Sequence, residues 1–185
     1  MLESEDMKAF DSPIETERLV LRRIAKEDWK NLASMLQDED VMYAYEHAFS
    51  DDEVTAWLDK QLLRYEKEDG LGLLGLCLRE NGAFIGQCGL TYQQIRGRTV
   101  AEIGYLLKKQ YWHKGYATEA AIAVRDYAFN TLGLNEVYSI IRENNFASQQ
   151  VALRCGMQKV DTIVKHYYNM DMIHYCYRIK RNQGA

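Results

Sequence analysis

One proline, Pro13, stands in 185 residues, and no glycine- or serine-rich stretch interrupts them, so nothing marks a linker or an interior domain boundary. No apolar run reaches the roughly 18 residues needed to span a bilayer. The four cysteines, Cys77, Cys88, Cys155 and Cys176, form no C-x-x-C pair. They read as buried, reduced thiols of a cytoplasmic protein. His47, His113, His166 and His174 are scattered without ligand spacing, so no metal is expected. With a net charge of −4 and no basic run interleaved with aromatics, nucleic acid is not expected as a partner. The acidic opening (Glu3, Glu5, Asp6, Asp11) lacks the apolar core of a signal peptide. It is expected to be a flexible lead-in over 1–13, followed by one domain over 14–185.

What the chain does have is 47% hydrophobic and 27% charged residues, the balance of a globular domain with a core. Residues 18–24 (RLVLRRI) predict a strand, and Trp29, Leu32, Ala33 and Leu36 predict a helix over 26–37. A shorter helical or turn-like piece follows over 38–49. Ser50 and Glu53 form a capping box that opens a helix to about 68. Gly70, Gly72 and Gly75 match G-x-G-x-x-G formally, but a helix precedes and a strand follows, the reverse of a dinucleotide site. Asn81-Gly82 predicts a hairpin between strands over 73–79 and 83–92. Further strands are expected over 100–107, 136–142, 157–168 and 172–179, with helices over 115–132 and 145–155. The helix between the strands at 100–107 and 136–142 makes a crossover, which requires them to run parallel. The fold class is therefore α/β (α+β), a mixed, mostly antiparallel sheet of about seven strands flanked by helices.

The chain is organised around Tyr111-Trp112-His113-Lys114-Gly115-Tyr116-Ala117-Thr118-Glu119-Ala120, a glycine-bearing turn between a strand and a helix. Free backbone N–H groups at the positive end of a helix dipole bind phosphate there without a charged side chain. A P-loop is excluded, because Lys114 precedes its glycine.

Five blocks, in order, resemble the GNAT superfamily of N-acetyltransferases, within it the RimJ/RimL-like group. They are Glu15-Thr16-Glu17-Arg18-Leu19-Val20-Leu21-Arg22, Phe84-Ile85-Gly86-Gln87-Cys88-Gly89-Leu90, Ala101-Glu102-Ile103-Gly104-Tyr105-Leu106-Leu107, Lys114-Gly115-Tyr116-Ala117-Thr118-Glu119-Ala120, and Asn145-Phe146-Ala147-Ser148 with Gly156-Met157. The resemblance implies acetyl-CoA as co-substrate, with a splayed pair of parallel strands admitting its pantetheine arm. The family's pyrophosphate loop, Gln/Arg-x-x-Gly-x-Gly/Ala, falls on Trp112-His113-Lys114-Gly115-Tyr116-Ala117. Gly115 and Ala117 match, Trp112 departs, and His113 stands where the group often has glycine.

By the same resemblance, Ile103, Tyr105, Leu106 and Leu107 offer backbone to the pantetheine arm, with an N–H near Leu106 or Leu107 as oxyanion donor. Trp112, His113, Lys114, Gly115, Tyr116, Ala117 and Thr118 form the diphosphate cradle, and Asn145 and Ser148 complete the cofactor side. Glu102 matches a position where some members carry a catalytic base; it reads equally as a strand-edge carboxylate in a salt bridge. Strand alternation places Glu102, Gly104 and Leu106 on one face. The tyrosine that many members place four residues before the closing glycine is Ala152 in this chain, so Ser148 is the candidate acid. Tyr45, Glu46 and His47 are candidates at the acceptor site. The expected activity is direct acetyl transfer to a primary amine, of a protein N-terminus or a small molecule, by a cytoplasmic monomer or homodimer with no membrane partner. A non-catalytic acyl-CoA sensor on the same fold is the alternative, and thiol release distinguishes the two.

Overall fold

The computed structural model describes residues 9–67, 71–167 and 169–181. Eight strands form one sheet in the order β1-β2-β3-β4-β5-β6-β8-β7. They are β1 (Ile14–Glu15), β2 (Leu19–Arg23), β3 (Leu73–Leu78), β4 (Phe84–Ile95), β5 (Arg98–Leu107), β6 (Glu136–Arg142), β7 (Gln158–Tyr167) and β8 (Met170–Lys180). The strand beyond the expected seven is the two-residue β1, too short to show a period. Every pairing is antiparallel except β5 with β6, which the crossover makes parallel as expected.

Helices α1 (Trp29–Leu36) and α2 (Asp51–Glu66) cover one face of the sheet, and α3 (Tyr116–Asn130) and α4 (Phe146–Arg154) the other. Strand alternation feeds both layers. In β3, Leu74, Leu76 and Leu78 pack toward α3 and α4, while Leu73 and Cys77 pack toward α1 and α2. The ends of the elements follow from local chemistry. Ser50 Oγ accepts from Glu53 N, and Glu53 returns a carboxylate oxygen to Ser50 N, so the capping box opens α2 as read. Gly133 stops α3 and Gly156 stops α4, both with positive φ. The segment 38–49, expected as helical or turn-like, contains turns and no helix.

Part of the lead-in is described. Residues 1–8, and Gly70 of the glycine-rich stretch, lie outside the described residues, but Ala9 and Phe10 are buried in the main core. Phe10 stacks on Tyr127 and its N–H donates to the Tyr127 hydroxyl, so ordered packing begins by Ala9 rather than at Ile14. All four cysteines are free and buried. Burial pushes the Cys155 thiol up to about 11 and Cys88 higher still, which keeps them protonated. No helix among the described residues is long and apolar enough to cross a membrane.

Candidate active site

The parallel pairing of β5 and β6 consists of one residue pair, Glu102 with Tyr138. Beyond it the strands diverge, and residues 103–107 of β5 run on beside a gap. Two side chains tie the strands where they separate. Ser139 Oγ donates to the Ile103 carbonyl at 2.9 Å, and Glu102 Oε1 accepts from Ile140 N at 3.1 Å. Glu102 forms no ion pair within 4 Å among the described residues, so it is not the salt-bridged edge carboxylate considered from sequence. Its side chain is half-buried. Burial raises its carboxyl above the ordinary value, against opposing effects of Lys165, the Ile140 N–H, Gln93 and Arg64.

Along β5, Glu102, Gly104 and Leu106 face the α1–α2 layer, whereas Ala101, Ile103 and Leu107 pack toward α3 and α4. A Cβ built on Gly104 would meet only Leu73 Cδ2, at 3.6 Å, so there is room beside Glu102. Tyr105 reaches the other way and donates to the Ser148 carbonyl on α4 at 2.7 Å. Glu102 and Ser148 therefore lie on opposite faces of the sheet, on either side of the gap.

Past β5 the chain makes a one-turn 3₁₀ helix, Lys109–Tyr111, then the turn into α3. Trp112 commits its indole N–H to the Leu107 carbonyl at 2.9 Å and packs against both cores. His113 has φ 59°, which explains why glycine suits that position. Gly115 has φ 82° and caps α3 with no side-chain hydrogen bond. Among the described residues no group of the chain accepts from the amides of 113–118. A run of unpaired N–H groups at the start of a helix of 15 residues fits a diphosphate. Glu119 is occupied structurally: it accepts from the Thr16 hydroxyl at 2.6 Å, from Arg18 N at 2.9 Å and from Arg18 Nε at 2.7 Å. Arg18 also donates to the Lys114 carbonyl and lies over the Tyr116 ring, fixing the turn.

Asn145 caps α4, its Oδ1 accepting from Ser148 N. The same oxygen accepts from the Tyr43 hydroxyl at 2.7 Å. The loop 38–49 is also held by the ion pair of Asp40 with Lys109. Lys109 follows β5 and Asn145 follows β6, so this loop crosses the mouth of the gap as a roof. Within it His47 pairs with Glu53 at 2.7 Å, at the cap of α2. Tyr45 packs against the α1–α2 core. Glu46 lies near enough to His174 to favour its protonated form, although burial keeps His174 below the ordinary histidine value.

Sequence reasoning did not single out Tyr43, Ser139, Gln93, Arg64, Arg142, Lys165 or His174 at this site. Tyr43 stood inside the segment that was; the others depend on strand register and helix docking. A depression of about 850 Å³ lies elsewhere, along the outward face of α3 and past Ile122, Asp126 and Arg154. It is open, and it meets the turn only at Gly115 and Thr118.

The Acetyltransferase (GNAT) domain family matches residues 18–158. YkkB of Bacillus subtilis, an uncharacterized protein, is 37% identical over 151 residues, covering 81% of this chain and 87% of that one. The uncharacterized N-acetyltransferase YnaD of the same organism is 29% identical over 147 residues, with coverages of 79% and 82%. Among solved structures, an acetyltransferase from Agrobacterium tumefaciens superposes with a TM-score of 0.76 at 28% identity, covering 92% of this chain and 95% of that one. Two further structures share the fold at lower identity. One is RimL, a ribosomal L7/L12 α-N-protein acetyltransferase in complex with coenzyme A (TM-score 0.76, 14% identity, coverages 91% and 98%). The other is a spermidine N-acetyltransferase from Vibrio cholerae with CoA and spermine (TM-score 0.71, 18% identity, coverages 89% and 96%). The chain belongs to the GNAT family and is an N-acetyltransferase of it.

Proposed function

We propose that the protein moves the acetyl group of acetyl-CoA directly to a primary amine, both substrates being bound together. One observation carries this reading: strands β5 and β6 part immediately after Glu102, and the gap so opened leads to the unpaired amides of 113–118. Backbone of Ile103, Tyr105, Leu106 and Leu107 lines the gap on one side, and Asn145 and Ser148 stand at the head of α4 on the other. The turn from Trp112 to Thr118 would hold the diphosphate. The two structures of the same fold that hold coenzyme A support the assignment of co-substrate.

Acetyl-CoA, when bound, supplies a thioester, and in the reaction a C–N bond forms as the C–S bond breaks. Glu102 takes the proton of the attacking amine, directly or through one water. Its raised affinity for a proton suits a general base better than an ordinary exposed carboxylate would. A backbone N–H of Leu106 or Leu107 donates to the developing oxyanion. The Ser148 hydroxyl, positioned by the Asn145 cap, returns a proton to the leaving sulfur. Ala152 is fully buried in the α3–α4 core, so no phenol comes from that position. Tyr45, Glu46 and His47 belong to the roof over the acceptor. The four buried thiols support a reducing, cytoplasmic setting.

The test is thiol release from acetyl-CoA across a panel of amines, comparing the native protein with Glu102→Gln. Turnover that depends on an amine and falls by about 10²-fold or more in the variant supports the reading. Acetyl-CoA binding without thiol release for any amine would instead make the protein a sensor.

A further inference from the structure

The register of the last strands puts an unexpected set of charges around Glu102. Cross-strand partners lie side by side on one face of a sheet. Arg142 of β6 pairs with His174 of β8, and His174 with Ile163 of β7. Ile140 and Cys176, two positions away, pack together with Ile163, with Tyr138 further along β6 and with Val100 of β5 in one apolar cluster, which fixes their common face. Counting on by two from this cluster, Glu102, Arg142, His174 and Lys165 stand on that same face, the side of the sheet on which α1 and α2 lie. Arg64, on the last turn of α2, is near enough to Glu102 for their charges to interact. Lys165 and Arg64 both lower the proton affinity of Glu102, and Lys165 and Arg142 that of His174, so the five groups share one region.

Among the described residues Arg64, Arg142 and Lys165 form no ion pair within 4 Å. Arg64 donates a hydrogen bond to the Gln61 side chain, and burial lowers its affinity for its proton against the opposing charge of Glu102. Half-buried cations with no carboxylate in contact are costly. Three of them stand around Glu102; the further carboxylates on this face are Glu46, near His174, and Asp161, which is paired with Arg96. A polyamine would add positive charge to this place.

We infer that the acceptor is a small amine bearing an anionic group, a carboxylate or a phosphate, which Arg142, Lys165 and Arg64 bind while its amine meets Glu102. Small size follows from the roof, because the loop 38–49 is tied on both sides of the gap by Asp40 with Lys109 and by Tyr43 with Asn145. This inference rests on the acetyl-transfer reading above and goes further, to the substrate class.

The experiment uses matched pairs of acceptors with the full chain and acetyl-CoA, following thiol release. L-phenylalanine is compared with phenethylamine, L-lysine with cadaverine, and phosphoethanolamine with ethanolamine; spermidine and a hexapeptide amide complete the panel. At least one anionic member is expected to exceed its plain partner in kcat/KM by about tenfold or more. The first two pairs against the third separate carboxylate from phosphate. Lys165→Gln and Arg142→Gln are expected to collapse that ratio by raising KM for the anionic acceptor, with KM for acetyl-CoA as the control that the fold is kept. Ratios of one or below, or turnover confined to spermidine or the peptide, overturn the inference and leave acetyl transfer standing. Thiol release with no amine at all overturns both.

Discussion

The Tyr43 hydroxyl donates a 2.7 Å hydrogen bond to Oδ1 of Asn145, 102 positions further along the chain. That single oxygen also caps α4 through Ser148 N, so the roof over the gap and the helix at its far side are held at one point. The bond joins a turn with no helical ladder of its own to a rigid element. Losing it releases one anchor of the turn without removing anything from the core, where Val41 and Met42 stay buried.

Tyr43→Phe therefore separates closure from folding. Tyr43 is 45% exposed, and its ring contributes little to the core. The variant is expected to melt within a few degrees of the native protein. A net hydrogen bond of about 0.5–1.5 kcal/mol translates into a rise of roughly two- to tenfold in KM for the acceptor. Steady-state kinetics with acceptor varied at saturating acetyl-CoA read it, and an unchanged KM would make the contact incidental.

Glu102 sets the pH dependence. Burial raises its carboxyl above the ordinary glutamate value of 4.5, and a base works only when unprotonated. The acidic limb of kcat/KM is therefore expected to have its midpoint above 4.5, with activity rising as pH passes through it. In Glu102→Gln that limb should vanish together with most of the turnover. A limb that survives in the variant belongs to another group and removes Glu102 from the role of base.

Much of the fold was legible because it is written in short-range patterns. The capping box at Ser50 and Glu53, the Asn81-Gly82 turn, Gly133 and Gly156 after their helices, and the crossover through α3 each depend on a few neighbouring residues. The glycine turn was legible for the same reason, since unpaired amides follow from a helix start. The charged surroundings of Glu102 were not. A slip of one residue sends every side chain of a strand to the other face, and the pairing of β7 with β8 shifts register between Lys159 and Asp161. That bulge decides that Lys165 faces inward with His174. Nor could alternation reveal that Phe10, in an acidic lead-in, stacks on Tyr127 of α3.

Gly115→Ala tests the cradle. At φ 82° an alanine occupies a region that costs an L-residue about 1–2 kcal/mol, and its Cβ would stand 3.3 Å from Arg18 Nη2. The turn would relax away from this conformation and misdirect the amides of 116–118. KM for acetyl-CoA is expected to rise about tenfold or more with a smaller change in kcat at saturation. Isothermal titration with CoA checks the same loss without turnover; equal affinity in the two proteins would place the diphosphate elsewhere.

Glu119 separates stability from catalysis at the same turn. Burial alone would raise its carboxyl, but hydrogen bonds from Thr16 and from the Arg18 backbone and side chain more than reverse this, so it lies below the ordinary value of 4.5. A depressed carboxyl stabilises the fold fully above about 4.5, and the contribution fades as pH falls through the folded value. Glu119→Gln is expected to cost about 1–2 kcal/mol near pH 7, a modest figure because Arg18 is 42% exposed. Denaturant titrations of both proteins at pH 7 and pH 3 measure the gap, which should narrow on acidification. A gap of constant size would mean that packing around the side chain, rather than its charge, holds the first strands to α3.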